Sequence, residues 1–193
     1  MQFSQDDRSG WVHIEDIGDD ACQFNIPLGF TFNGFGTSTS TISVSSNGVL
    51  FFGQGCNPAY FNTALPTAIT NDPALFFFWD DLKDYGSGEY IEYATYGSFG
   101  GRVFNLYFRN RLFSSVCGSN PQNLMISIRE GSNDVSVTYS GFSGCSTIRG
   151  DSATFGLQTA GGASAKAFVI GTDSPVLDDN ASRQTMSFHP PAP

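Results

Sequence analysis

The chain has 193 residues, of which 40% are hydrophobic and only 14% charged, and this composition excludes a disordered protein. The formal net charge of −9 at pH 7 argues against binding to nucleic acid or to anionic membranes, because both need clusters of Lys and Arg. No apolar run in the sequence reaches the ~20 residues of a membrane-spanning helix, so membrane insertion is not expected either.

Apolar and polar residues alternate along much of the first half of the chain, and this period of two predicts β-strands. Strands are predicted over residues 22–33 and 41–53, joined by a connection that contains NGFGTSTST. The run ALFFFW at 74–79 predicts a buried strand, and EYIEYATY and RVFNLYFRNRLF predict two more across the turn GSFGG. In the first strand, one apolar face is predicted to contain Cys22, Phe24, Ile26, Leu28, Phe30 and Phe32.

The second half of the chain predicts a hairpin followed by a few short strands. NLMISIREGSNDVSVTYSGF has two alternating segments around EGSND, which is typical of a tight turn. SATFGLQTA and AKAFVI predict a further pair, and QTMSFHP a last strand. About ten short strands with frequent turns and no helical period are typical of an antiparallel β-sandwich or jelly roll. We therefore predict a single all-β domain over residues 1–188, followed by a stiff linker stub at 189–193, HPPAP.

Four cysteines, Cys22, Cys56, Cys117 and Cys145, form no CxxC motif, which excludes the usual spacing of zinc ligands. An even number of cysteines in a β-patterned, weakly charged chain favours two disulfides and an oxidising compartment over four buried thiols. Four cysteines allow three pairings. Because Cys117 and Cys145 are equidistant from Gly131 in the predicted hairpin turn, we predict that they pair. Cys22 and Cys56 then pair by elimination.

Acidic residues follow the apolar run directly: Asp80 and Asp81 come first, and Asp84 lies close behind. Ca²⁺ binds several carboxylate and carbonyl oxygens, so these three residues are candidates for a calcium site. The first alternative is that Asp80 or Asp81 accepts backbone N–H bonds and ties down the following loop. The second is a role in ligand binding or catalysis. Another acidic stretch, EDIGDD near the N-terminus, is interpreted as a solvated face.

The sequence lacks the common catalytic signatures, because neither GxSxG nor HExxH occurs in it. Glu89 and Glu92 have opposite parity on one predicted strand, so they would not form the carboxylate pair of a glycosidase. The two histidines, His13 and His189, lie near the ends of the chain. We predict that the chain is not an enzyme. Asn180 begins the glycosylation sequon NAS, which matters only in a glycosylating host.

The order of the motifs resembles a nidogen-like, NIDO-type extracellular domain over about residues 11–170. The resemblance is carried by IPLGFTFNGFGTSTSTISVSSNGVLFFG, ALFFFWDDL, RVFNLYFRN, LMISIREGSNDVSVTYSGF and SATFGLQ. It implies an all-β module of secreted or surface proteins, with no catalytic residue to carry over. We expect the SSNG segment to form a type I′ turn, because Asn-Gly readily adopts positive φ. The residues that match the family's motifs include Ser46, Asn47, Gly48, Trp79, Asp80 and Asp81.

We therefore expect a non-catalytic structural or adhesion module, extracellular or at the cell surface, whose secretion leader is missing from this sequence. Its expected partners are other protein domains or copies of itself, joined through exposed strand edges. The alternative is a carbohydrate-binding module of a secreted protein, which would bind glycans through Tyr and Trp rings with acidic or amide partners. No cofactor is expected apart from calcium at Asp80, Asp81 and Asp84.

Overall fold

The structure is a computed structural model, and it describes residues 9–14, 17–83, 90–113, 122–141, 150–162, 164–169, 177 and 183–190. Within these residues, thirteen strands form two sheets, and every strand pair is antiparallel. The two sheets pack face to face around one large hydrophobic core. The predicted all-β sandwich is therefore confirmed. The strand number exceeds the predicted ten because three strands have only two or three residues, which is too short to show a period.

The first sheet contains seven strands. In spatial order they are β1 (Val12–Ile14), β7 (Tyr90–Tyr96), β8 (Val103–Phe113), β9 (Gln122–Arg129), β10 (Val135–Ser140) and β13 (Arg183–Phe188), with β6 (Leu82–Lys83) paired to β8. The predicted hairpin is confirmed as β9 and β10, in which Ile128 faces Val135 and Asn123 faces Ser140. The predicted bridge between Cys117 and Cys145 lies outside the described residues.

The second sheet contains six strands. In spatial order they are β12 (Ala165–Val169), β11 (Thr154–Gln158), β5 (Ala74–Trp79), β4 (Val49–Phe51), β3 (Thr37–Ser45) and β2 (Cys22–Gly34). The predicted connection between the first two strands is wrong, because TSTST belongs to β3. Chain reversal occurs at Phe35 and Gly36, whose φ values of 54° and 88° are those of a two-residue type I′ turn. The second predicted strand, 41–53, is instead divided between β3 and β4.

A bulge in β2 turns one predicted core residue outward. Asn25 has a φ of 58°, and the pairing of β2 with β3 shifts register between Gln23 and Ile26. The strand then alternates regularly, with Ile26 and the following even-numbered residues buried. Phe24 is 47% exposed, so the prediction that it belongs to the apolar face is wrong. An extra residue in one strand reverses the faces of the side chains that precede it.

β5 is buried on both of its faces. Toward the first sheet it contributes to the main core, where the rings of Phe77 and Phe108 lie 5.2 Å apart. On the opposite side, Phe76 and Trp79 belong to a second hydrophobic cluster. Residues 52–73, here called the long loop, have no regular secondary structure and pack Leu65 and other apolar residues against that cluster. The long loop therefore covers the outer face of the second sheet.

A disulfide joins Cys22 at the start of β2 to Cys56 in the long loop, with the two Cα atoms 6.2 Å apart. The predicted pairing of these two cysteines is confirmed. Cys22 of β2 lies opposite Ser45 of β3. Its disulfide partner Cys56 is therefore not the residue that faces it in the hairpin but a residue of the long loop. The bridge fixes the start of the long loop beside the edge strand of the second sheet.

Candidate functional site

The motifs that carry the resemblance meet at one corner of the second sheet. Residues 46–48, here called the SNG loop, join β3 to β4, and Asp80 and Asp81 follow the end of β5. The backbone N–H groups of Phe77 and Phe78 donate to the carbonyl of Gly48 at 3.0 and 3.2 Å. The SNG loop and the acidic strand end therefore form one structural unit.

Gly48 occupies a position that no other residue fits. Its φ is 81°, and a Cβ atom added there would lie 1.9 Å from the carbonyl oxygen of Phe78. The N–H of Gly48 donates to the carbonyl of Ser45 at 3.4 Å, which closes the turn. In the SNG loop only Gly48 has a positive φ, so the predicted type I′ turn is wrong. The loop is a three-residue connection that ends in a left-handed glycine.

Asn47 is fully buried and holds three segments together with its side-chain amide. Its Nδ2 donates to Asp20 Oδ1 at 2.7 Å and to the carbonyl of Pro58 at 2.8 Å. Its Oδ1 accepts the backbone N–H of Leu82 at 3.0 Å. Both amide hydrogens and the amide oxygen are thus engaged, which leaves little capacity to bind a ligand.

The two residues that bracket the end of β5 are also engaged with the protein. Trp79 is buried, and its indole N–H donates to the carbonyl of Ala59 in the long loop at 2.7 Å. Asp80 accepts the N–H of Asp81 at 2.9 Å through Oδ1 and the hydroxyl of Ser152 at 2.5 Å through Oδ2. Asp80 therefore ties down the chain after β5, as the capping interpretation predicts.

Asp81 lies next to two aspartates that precede β2. One carboxylate oxygen from each of Asp19, Asp20 and Asp81 lies within 4.8 Å of the others, and these residues are called the acidic cluster here. Asp19 and Asp20 are exposed, as expected for a solvated face, but their approach to Asp81 was not predicted. Asp84 lies outside the described residues. Three carboxylates at this spacing offer the oxygen ligands that Ca²⁺ prefers.

The sequence contains signals that account for the acidic cluster in retrospect. Asp20 lies two residues before Cys22, whose bridge to Cys56 draws this segment toward the long loop. Ser46 reinforces the placement, because its N–H donates to the carbonyl of Ala21 at 2.9 Å and its Oγ accepts the N–H of Ala21 at 3.0 Å. The neighbouring Asn47 then binds Asp20 directly.

Other residues named in the sequence lie away from this corner. His13 lies on β1, and its Nδ1 is 4.0 Å from Glu92. His189 follows β13, and its Nδ1 is 2.7 Å from Asp134. Because β1 and β13 are the two ends of the first sheet, the histidines do not meet. Asn180 and Glu89 lie outside the described residues.

Comparisons with known proteins place the chain in a family. Searches of curated proteins and of solved structures found no match. Among the described residues, no helix has the length and apolar character needed to span a membrane. A family model described as NIDO related matches residues 4–192, which extends the predicted resemblance to nearly the whole sequence. The chain therefore belongs to the NIDO-related family, and this membership indicates an extracellular type of module.

Proposed function

We propose that the chain is a non-catalytic structural or adhesion module of a secreted or surface protein. The observation that supports this proposal most directly is that the polar motif residues form hydrogen bonds with other parts of the protein. Asn47 binds both the segment before β2 and the long loop. Trp79 also binds the long loop, and Asp80 binds the chain after β5. A catalytic site instead directs such groups toward a substrate. The motif residues thus have structural roles.

The proposed extracellular location is supported by the chemistry of the chain as well as by its family. The disulfide between Cys22 and Cys56 is typical of oxidising compartments. The proposed role has two forms, because the module could join other domains of a longer protein or copies of itself. The two forms differ in a measurable property, which is the molecular mass of the isolated module in solution.

Two measurements test the proposal. Light scattering and electron microscopy at rising protein concentration are expected to show oligomers or fibres if the module joins copies of itself. A strictly monomeric protein leaves only the joining of other domains. Incubation with ester, glycoside and peptide substrates is expected to show no turnover. Turnover that copurifies with the folded protein would contradict the non-catalytic assignment.

A carbohydrate-binding module is the alternative, and one observation favours it. Tyr60 and Phe61 in the long loop are exposed, and their ring centroids lie 4.2 Å apart. Trp79 cannot stack on a sugar because it is buried. In this alternative, a glycan array is expected to give binding that Phe61→Ser abolishes. An array without binding would contradict it.

We also propose that the acidic cluster binds calcium. The carboxylate oxygens of Asp19, Asp20 and Asp81 lie close enough together to bind one cation between them. Calcium at a hundred times its Kd is expected to stabilise the fold by about 2.7 kcal/mol, which is a rise in Tm of roughly 5–11 °C. A melt in calcium and in chelator measures this rise. Asp81→Asn is expected to abolish it, whereas the control Asp151→Asn keeps it; an unchanged Tm in wild type would contradict the proposal.

A further inference from the structure

We propose that Tyr60 and Phe61, with the carboxylates linked to their flanking segments, form a docking surface for a basic protein segment. The partner would present Arg or Lys side chains next to an apolar residue. This inference rests on the proposed function as a non-catalytic interaction module and names the chemical class of its partner.

The first observation is the exposure of two adjacent rings. Phe61 is 74% exposed and Tyr60 37%, and their ring centroids lie 4.2 Å apart. A single exposed aromatic residue is ordinary on a protein surface, but two rings in mutual contact form a larger apolar surface of the kind that partners cover. Aromatic residues are also those that contribute most to protein interfaces.

The second observation is that the segments on both sides of the rings are held in place by hydrogen bonds. Two residues before the rings and two after them are hydrogen-bonded to buried parts of the second sheet or its SNG loop. A surface that is fixed before binding loses little conformational entropy when a partner arrives. The bonds join Asn47 to Pro58, Trp79 to Ala59, and Thr154 to both Asn62 and Thr63.

The third observation is the charge around the rings. On one side, Asn47 Nδ2 binds both the carbonyl of Pro58 and Asp20 Oδ1, so the acidic cluster lies beside the start of this segment. On the other side, Asn62 donates to the carbonyl of Ser152, whose hydroxyl donates to Asp80. Through these bonds, carboxylates are linked to the segments that precede and follow the rings.

These charges decide which occupant fits best. Two copies of a chain with net charge −9 repel each other at such a surface, which disfavours a homotypic contact. A neutral glycan would stack on the rings but would gain no net attraction from the carboxylates. An Arg side chain uses both features, because its planar cation stacks on aromatic faces and binds carboxylates.

The test uses three nine-residue peptides of alternating residues: Arg with Leu, Glu with Leu, and Ser with Leu. Binding to the isotope-labelled protein is followed by the amide NMR signals in the presence of a chelator, so that no calcium neutralises the acidic cluster. We expect the Arg peptide alone to shift the signals of residues 59–62, with an affinity that falls several-fold between 50 and 300 mM NaCl. Phe61→Ser is expected to weaken binding at least tenfold, and Asp19→Asn several-fold.

Phe99→Ser is the matched control, because Phe99 is 91% exposed but lies in the turn between β7 and β8. It is expected to bind the Arg peptide like wild type. Equal binding of the Ser peptide, wild-type affinity in Phe61→Ser, or shifts elsewhere only would overturn the proposal. Shifts at residues 59–62 with chitohexaose but not with the Arg peptide would assign the surface to glycans. Substrate turnover, by contrast, would refute the non-catalytic function and leave the peptide result intact.

Discussion

Gly48 accepts two hydrogen bonds from the end of β5, and its lack of a side chain has two separable reasons. One is its left-handed φ, and the other is the carbonyl of Phe78, which would lie 1.9 Å from a Cβ atom. Gly36 shares the first reason only, since its φ is 88° and no atom lies within 4 Å of its Cβ position. A comparison of substitutions at Gly36 and Gly48 therefore separates the cost of backbone strain from that of steric exclusion.

We predict that Gly36→Ala lowers the free energy of unfolding by about 1–2 kcal/mol, which is the cost of a left-handed alanine. Gly48→Ala is expected to lower it by a further ~1–3 kcal/mol, because β5 or the loop must shift. Denaturant unfolding of both variants measures the difference. Equal losses of unfolding free energy in the two variants would show that the SNG loop and β5 move apart without an energetic cost.

Glu130 is a carboxylic acid whose pKa is strongly lowered in the folded protein. The guanidinium of Arg102 donates to both of its oxygens, at 2.6 and 2.8 Å, and the backbone N–H groups of Gly100 and Arg102 add two further bonds. The bond from the Arg102 side chain is the main cause that lowers the pKa of Glu130 from 4.5 to about 2. The folded state therefore favours the ionised carboxylate.

A pKa that is lower in the folded state stabilises the protein above its unfolded-state value, and this stabilisation is lost as the pH falls through the folded-state value. We predict that Glu130→Gln has a lower free energy of unfolding than wild type at pH 7. This difference between the two proteins is expected to disappear as the pH falls from about 4.5 to about 2. Urea unfolding across this range measures the gap. The bond from His189 also lowers the pKa of Asp134, but this effect is common to both proteins and cancels. A gap independent of pH would contradict the prediction.

Among the described elements, β2 presents the longest sheet edge, and side chains from the strands and turns of the first sheet cover part of it. The hydroxyl of Thr95 donates to the carbonyl of Leu28 at 2.8 Å, and Asn133 Oδ1 accepts the N–H of Asn33 at 2.9 Å. Arg102 donates to the carbonyl of Gly29. Edge groups that are already bonded cannot pair with a strand of another molecule.

We predict that the double variant Thr95→Val, Asn133→Gly associates with itself through the uncovered β2 edge. Glycine at position 133 keeps the positive φ of 55° without strain. Light scattering is expected to show a mass that rises with concentration toward a dimer, whereas the control Thr138→Val, in β10, behaves like wild type. If the double variant is as monomeric as the control, these bonds do not prevent strand pairing at the β2 edge.

The elements also show how far the sequence predicts the fold. The hairpin of β9 and β10 was predicted because apolar residues alternate on both sides of a short polar turn. The first part of β3 was missed because Thr and Ser residues give no apolar signal. The orientation of Phe24 was missed because a bulge depends on the partner strand as well as on the local sequence.

The acidic cluster shows a different limit. Capping by Asp80 follows from its position after a buried strand, so local reasoning suffices. The approach of Asp20 to Asp81 depends on Asn47 and on a disulfide, which join segments far apart in the chain. A period of two carries no information about such contacts. Sequence reasoning therefore identified one aspartate of the cluster and missed the other two.

For the whole molecule, the disulfide between Cys22 and Cys56 connects the edge of the second sheet to the long loop across a sequence separation of 34 residues. A bridge over a loop of this size is expected to stabilise the fold by about 3–4 kcal/mol by restricting the unfolded chain. We predict that Cys22→Ser with Cys56→Ser lowers Tm by roughly 6–16 °C. Calorimetry measures this change, and an unchanged Tm would contradict it.

The long loop covers a buried face of the second sheet, so the molecule is built in three layers although only two are sheets. A connection without regular secondary structure is normally where proteases cut first. Here its backbone is bonded at many points along its length, and Leu65 and Ile69 pack beneath it against the second cluster. We therefore expect a protease to cut this segment only after the sandwich opens, and the amide hydrogen of Thr67, which is bonded to Gln158, to exchange slowly.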